Sequence, residues 1–329
     1  MITLQKQADK DFVVLNFSDF QLSPGEWSIE HKNGRIIDYT LKSLYERVKP
    51  DLVTISGDIA WCGDYEALDI MASQLDKFGV PYAIVWGNHD QDGGSEKLIE
   101  AENVLSKHPL FLYERGPSEL GYGNYIIAIE EDGKIIEALI MMDSHDHARC
   151  YDSEGKEIFA WGTTPAWGKL YPEQIEWYKE QIDMLRSLGC EDSTLIMHIP
   201  CYAYRDAFKE AYKGETTNIS IEESYKSEYW NEGYEDSFGV MYENICSYPA
   251  NDGVFDAISE KGAHTKNVLV GHDHKNCFSV VYKGVRLSFA VKTGAGCYWT
   301  PEMNGGTVLT VNKNGVKLNH EFVDVTHLL

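Results

Sequence analysis

The chain lacks a long apolar run. No stretch of its 329 residues approaches the roughly 18 consecutive apolar residues of a membrane span, so no membrane-crossing helix is expected. Basic residues are also scarce: 29 Lys and Arg stand against 52 Asp and Glu, a formal net charge of −23. Nucleic-acid affinity rests largely on cationic side chains that neutralise phosphates. With no basic stripe in the sequence, neither nucleic acid nor an anionic membrane surface is expected as a partner. A small phosphate ester stays open, because bound dications can supply the local positive charge; the acidity otherwise serves solubility. Seven cysteines, an odd number without CxxC spacing, argue for free thiols rather than a disulfide framework. Met1 to Gln7 holds no apolar signal-peptide segment, and with the free thiols this gives a cytoplasmic expectation. No internal repeat, low-complexity tract or linker divides the chain.

What is present alternates between strand and helix patterns. With 43% hydrophobic residues, the chain can bury a substantial core as one domain over 1–329. Ile37, Leu41, Leu44 and Val48 recur on one helix face that Pro50 ends, and Leu68, Met71, Leu75 and Phe78 do so before Gly79 and Pro81. A helix is expected near 95–106. Another over 172–188 starts at Pro172 and stops before Gly189, with Ile175, Tyr178, Ile182 and Leu185 on its apolar face. Strands are predicted at 12–17, 52–55, 82–86, 125–129, 135–142, 194–197 and 268–270. More follow at 277–282, 285–291, 307–311 and 316–323, with Gly284 at a hairpin turn.

Five of these apolar runs end in residues that bind metals. Asp19 follows the first run, Asp58 follows 52–55, Asn88 and His89 follow 82–86, His198 ends 194–197, and His272 and His274 follow 268–270. Carboxylate, imidazole and amide donors together suit Mn, Fe or Zn. A bridging carboxylate lets two ions sit about 3.5–4 Å apart and clamp a phosphoryl displacement. Gly57, Gly87 and Gly271 precede ligands and let the backbone turn at the strand end. The carboxyl ends of strands are where open α/β sheets place ligands.

In order, Asp19-Phe20-Gln21, Gly57-Asp58, Gly87-Asn88-His89-Asp90, His198 and Gly271-His272-Asp273-His274 resemble the five blocks of the calcineurin-like metallophosphoesterases. Met142-Asp143-Ser144, Gln174-Ile175-Glu176-Trp177 and His198-Ile199-Pro200 are similar to the branch of purple acid phosphatases and yeast cell-cycle-regulator-type phosphoesterases. The resemblance implies an α/β fold, a two-sheet β-sandwich flanked by helices in four αββα layers. It implies two divalent or trivalent ions, Mn, Fe or Zn. Asp58 would bridge them, Asp19 and His274 would hold the first, and Asn88, His198 and His272 the second. His89 would protonate the leaving oxygen or steady the phosphoryl group, with Asp90 orienting it as carboxylates orient imidazoles. The implied reaction is hydrolysis of a phosphomonoester or phosphodiester by water activated between the two ions.

Two positions depart from the family pattern, and both concern the first ion. Gln21 stands where the family commonly has His, and its amide oxygen is a weaker donor. Trp61 stands where purple acid phosphatases carry a tyrosinate ligand; an indole offers only N–H, so no Fe(III)–tyrosinate centre is expected. The alternative reading is a catalytically degenerate, single-metal binding or regulatory protein of the same fold, and a nucleotide pyrophosphate hydrolase is a further one.

The aromatic-rich stretch over about 201–248 reads as an insertion that forms either a wall over the metals or an anchored surface segment. Arg149, Arg205 and Lys292 are candidate phosphate-binding cations. His145 and His147 match no ligand block and stand as candidate substrate contacts or loop residues. Cys297, Tyr298 and Trp299 are expected beside the 271–274 loop.

Overall fold

The computed structural model describes residues 1–148, 150–151, 157–158 and 166–329. The first half of the chain runs β1 (Ile2–Gln5), β2 (Phe12–Phe17), α1 (Lys32–Val48), β3 (Leu52–Ser56), α2 (Tyr65–Asp76) and β4 (Tyr82–Val85). The one-turn α3 (Asn88–Gln91), α4 (Ser95–Leu105) and β5 (Phe111–Leu112) follow, then β6 (Tyr125–Glu131), β7 (Lys134–Met141), β8 (Cys150–Tyr151) and β9 (Glu157–Ile158). The second half holds α5 (Pro172–Ser187), β10 (Ser193–Ile196), α6 (Ala203–Ala211), α7 (Val254–Glu260), β11 (Thr265–Val270), β12 (Ser279–Tyr282), β13 (Val285–Phe289), β14 (Gly305–Asn312) and β15 (Gly315–Phe322).

These strands form two large sheets, ordered β1-β6-β7-β10-β11-β13-β12 and β15-β14-β2-β3-β4-β5. Val14, Leu52 and Val85 of one sheet meet Ile127, Leu139, Ile196 and Leu269 of the other in a common apolar cluster. Each sheet's outer face is covered by helices. Ile37, Leu41 and Leu44 of α1 and Met71 and Leu75 of α2 close one face, and Tyr178, Ile182 and Leu185 of α5 with Phe208 of α6 close the other. This is the four-layer αββα arrangement that the sequence implied.

Local chemistry explains the boundaries. Pro172 opens α5, where its missing N–H costs nothing. Lys49 caps α1 in the left-handed region, its N–H donating to the Tyr45 carbonyl, and Pro50 prevents continuation. Lys283 and Gly284, at φ 48° and 84°, make the primed turn that joins β12 to β13. Phe78, expected on α2, lies just beyond it and stacks on Tyr45 at 3.8 Å.

Several of the aromatic rings in the 201–248 stretch anchor it to the domain. Tyr204, Phe208, Tyr212 and Trp230 are buried in the cluster under α5 to α7, and the Tyr204 hydroxyl donates to the Val268 carbonyl at 2.9 Å.

Glu137 of β7 has a stability consequence. The Thr194 hydroxyl donates to its Oε1 at 2.9 Å, its Oε2 has no partner, and burial pushes the carboxyl up to about 8. An unfolded glutamate titrates near 4.5, so the folded chain binds the extra proton between pH 4.5 and about 8, and stability falls as pH rises through that window. Glu137→Gln is expected to flatten this slope and to stabilise the chain at the alkaline end of the window by a few kcal/mol. Denaturant unfolding at the two ends of the window measures it.

Candidate metal centre

In one sheet β2, β3 and β4 are parallel neighbours, and in the other β7, β10, β11 and β13 are, so their carboxyl ends gather the strand-end loops. Asp19, Gln21, Asp58, Asn88, His198, His272 and His274 are all buried, none more than 8% exposed. Their donor atoms form two overlapping groups. Asp58, His198 and His272 bring ligand atoms within 4.8 Å of one another, and so do Asp19, Asp58 and His274. Asp58 alone belongs to both, the position a bridging carboxylate requires.

The backbone is strained just here. Asp19, Gln21, Asp58 and His272 lie at φ 58°, 44°, 52° and 76°, a region non-glycine residues rarely adopt and one that clusters at functional sites. Cross-loop bonds hold it: the Asp19 N–H donates to the Gly57 carbonyl at 3.0 Å and the Gln21 N–H to the Asp58 carbonyl at 2.9 Å. The glycines serve partly as expected. Only Gly57 uses a left-handed φ, +89°. A Cβ on Gly87 would lie 2.2 Å from Asp58 Oδ1, and one on Gly271 2.2 Å from Ser18 Oγ and 2.9 Å from Asp19 Oδ2, so close packing of the strand-end loops leaves no room for a side chain at either.

Carbonyl acceptors set the histidine tautomers. His274 Nδ1–H donates to the Tyr298 carbonyl at 2.7 Å, leaving Nε2 bare 3.5 Å from Asp19 Oδ1. His198 Nδ1–H donates to the Ser56 carbonyl at 2.7 Å, leaving Nε2 3.1 Å from Asn88 Oδ1 and 3.3 Å from Asp58 Oδ1. Burial opposes charge on Asp58, but His198 and its neighbours overcome this and hold the carboxyl below the usual range. The same pair works in reverse: burial lowers His198, yet Asp58 raises it to about 9, a field that favours positive charge at this spot. His272, buried beside His198, is pushed down to about 3 and stays neutral.

The residues fit divalent ions. Two buried carboxylates face bare imidazole nitrogens, and Gln21 Oε1 is buried without a hydrogen-bond partner. Unpaired buried polar atoms are costly, and an ion relieves both kinds of imbalance. Gln21 Nε2 donates to Asp58 Oδ2 at 2.9 Å, an orientation that a cation between them would reverse.

The structure corrects Asp90. His89 Nδ1 pairs with Asp92 Oδ2 at 2.7 Å, not with Asp90. Asp90 is fully buried and accepts from the N–H groups of Ile59, Ala60 and Gly87 at 2.8–2.9 Å, which ties the second strand-end loop to the third. The His89 ring lies 4.7 Å from Trp61, and its side chain is partly exposed at the edge of the buried ligands.

Two of the expected phosphate-binding cations are structural. Lys292 is buried and donates to the Asp19 carbonyl, which braces that strained turn. Arg205 donates to Ser247 Oγ and the Ile245 carbonyl. Arg149 lies outside the described residues. His145 pairs through Nε2 with Gln174 Oε1 at 2.9 Å, and His147 stacks on Trp167. Trp167, which the sequence did not single out, sets its ring edge-on to His272 at 4.5 Å. Tyr298 stacks on His274 at 4.2 Å, as its expected place beside the 271–274 loop requires. Among the described residues, Trp61, Trp167 and Tyr298 set their rings against His89, His272 and His274.

The chain is similar to known proteins. The sequence model of the calcineurin-like phosphoesterase family matches residues 12–276. Over 275 residues the chain is 26% identical to probable inactive purple acid phosphatase 14 of Arabidopsis thaliana, covering 75% of this chain and 59% of that protein. Over 234 residues it is 25% identical to phosphatase DCR2 of Saccharomyces cerevisiae, covering 64% and 38% respectively. The chain therefore spans less than two thirds of the curated relatives it matches. Among solved structures, the purple acid phosphatase PPD1 from yellow lupin (Lupinus luteus) superposes with TM-score 0.51 at 12% identity, over 96% of this chain and 53% of that one.

Proposed function

Because the chain belongs to the calcineurin-like phosphoesterase family, we propose that it is an active, dinuclear metal-dependent phosphoesterase acting on a small phosphomonoester or phosphodiester. The observation that carries this reading is the pair of ligand groups sharing Asp58, with His89 beside them. Two bound ions would supply charge neutralisation at the phosphoryl oxygens and an activated water.

The chain's own residues do the rest. Asp19, Asp58, Asn88, His198, His272 and His274 would hold the ions, with Gln21 offering its amide oxygen to the first. Asp92 holds Nδ1 of His89, so Nε2 is the atom free to give a proton to the leaving oxygen. Burial would lower the His89 pKa, but Asp92 and Asp58 outweigh it and raise it above the ordinary histidine value. The shift favours the imidazolium, the form a general acid needs. The net charge of −23 disfavours polyanions and leaves small esters as the substrate class. The free thiols support the cytoplasm as the proposed compartment, and among the described residues no helix is long and apolar enough to cross a membrane.

One observation favours the degenerate alternative: the Gln21 amide N–H already satisfies Asp58 Oδ2, the oxygen a first ion would take. The test is phosphate release from aryl phosphate monoesters and diesters by chelator-stripped chain, before and after Mn²⁺ loading. Release that depends on Mn²⁺ is expected, and Gln21→His should lower the Mn²⁺ concentration required. Absence of release from either ester by fully loaded protein would select the binding-protein reading.

A further inference from the structure

Beside the two groups that share Asp58 lies a third of different chemistry. Cys246, His272 and Asp273 each bring one ligand atom within 4.8 Å of the others. The group forms where the segment before α7 crosses the 271–274 loop. The Cys246 N–H donates to both Asp273 carboxylate oxygens at 3.2 Å, and Asn276 Nδ2 holds the same carboxylate at 2.8 Å. Asp273 and His272 are 2% and 8% exposed, while Cys246 is half-buried and gives access from solvent. Glu243 adds negative charge alongside, accepting from the Lys275 N–H at 2.7 Å and from the Tyr298 hydroxyl at 3.2 Å.

A separate observation points to a ligand. His272 turns Nδ1 toward His198 Nε2 at 3.3 Å, within the Asp58 group. Its second nitrogen, Nε2, is buried with no hydrogen-bond partner. The contact with His198 engages Nδ1 alone.

We infer that Cys246, Asp273 and His272 form a further metal site of zinc type, distinct from the Asp58 centre and joined to it through the His272 imidazole. A thiolate, imidazole and carboxylate set suits a borderline-soft ion and leaves the fourth tetrahedral position open. The neighbouring sites, built from carboxylate, imidazole and amide without sulfur, suit harder ions. Binding releases the Cys246 thiol proton to solvent, and the sulfur lone pair forms the metal bond. An ion here pins the Cys246 segment to the loop that carries two ligands of the Asp58 centre.

Loading the full chain with Co²⁺ under reducing conditions tests this, because a thiolate–Co(II) bond gives a charge-transfer absorption in the near ultraviolet that carboxylate and imidazole ligands do not. The wild-type chain should show that band. Cys246→Ser should abolish it and lower the bound Co²⁺ by one ion per chain, while Cys297→Ser, at an exposed cysteine, should leave both unchanged. The band should persist in Asp58→Asn, which removes a ligand of the neighbouring centre only, so this result stands apart from the phosphoesterase reading. No band in the wild-type chain at saturating Co²⁺, or a band that survives Cys246→Ser, overturns the proposal.

Discussion

Asp58→Asn is expected to remove both ions of the dinuclear centre at once. Asp58 is the only residue in both ligand groups, and its two oxygens are already divided between them: Oδ1 lies 3.3 Å from His198 Nε2, and Oδ2 faces Gln21. An amide would remove a negative charge and present an N–H donor to ligands that need a cation. Disturbing an outer-shell partner typically costs 10–100-fold in metal affinity, so losing the shared ligand should cost more than that at each site. Titration calorimetry with Mn²⁺ measures both sites together. A variant that still binds two Mn²⁺ ions with near-native affinity would show that another residue bridges them.

His89→Ala should leave ion content intact and lower turnover by about 10²–10⁴-fold, the usual contribution of a general acid. The His89 side chain belongs to neither ligand group, and the bond that its position makes to Asp58 Oδ1, at 2.9 Å, comes from the backbone N–H and survives the substitution. Asp92→Asn gives a finer check. Asp92 raises the His89 pKa, so without it the alkaline limb of the pH–rate profile should move to lower pH. Unchanged turnover in His89→Ala would take the imidazole out of the mechanism.

Much of this site was legible because each ligand ends an apolar run. A strand of five or six apolar residues followed by Gly-Asp or Gly-Asn-His-Asp leaves little freedom over where the polar side chains emerge, and Asp19, Asp58, Asn88, His198, His272 and His274 do come together. The His89 partner was not legible. Asp90 follows it directly and Asp92 lies three residues on, and only the one-turn helix Asn88–Gln91 decides between them. In a helical turn, residues three apart meet and adjacent ones diverge, so Asp92 reaches the ring while Asp90 turns back to three backbone N–H groups.

The 201–248 stretch shows the same kind of limit. Its aromatics and glutamates read as either wall or anchor. Yet Tyr204, Ala207, Phe208 and Ala211 hold helical spacing, and that buried face of α6 fixes the stretch to the outer layer. Strand β1 escaped notice because only Ile2 and Leu4 alternate within four residues. Trp167 could not be found by local pattern, since it comes to His272 from more than 100 positions away.

The central claim, that the strand ends build a centre for two ions around Asp58, is tested most directly by elemental analysis of chelator-stripped chain reloaded with Mn²⁺. Two Mn²⁺ ions per chain are expected, which would mean that Gln21 turns its amide oxygen inward and supports the first site. One ion or none at saturation would contradict the claim and leave the Gln21 amide as the permanent partner of Asp58.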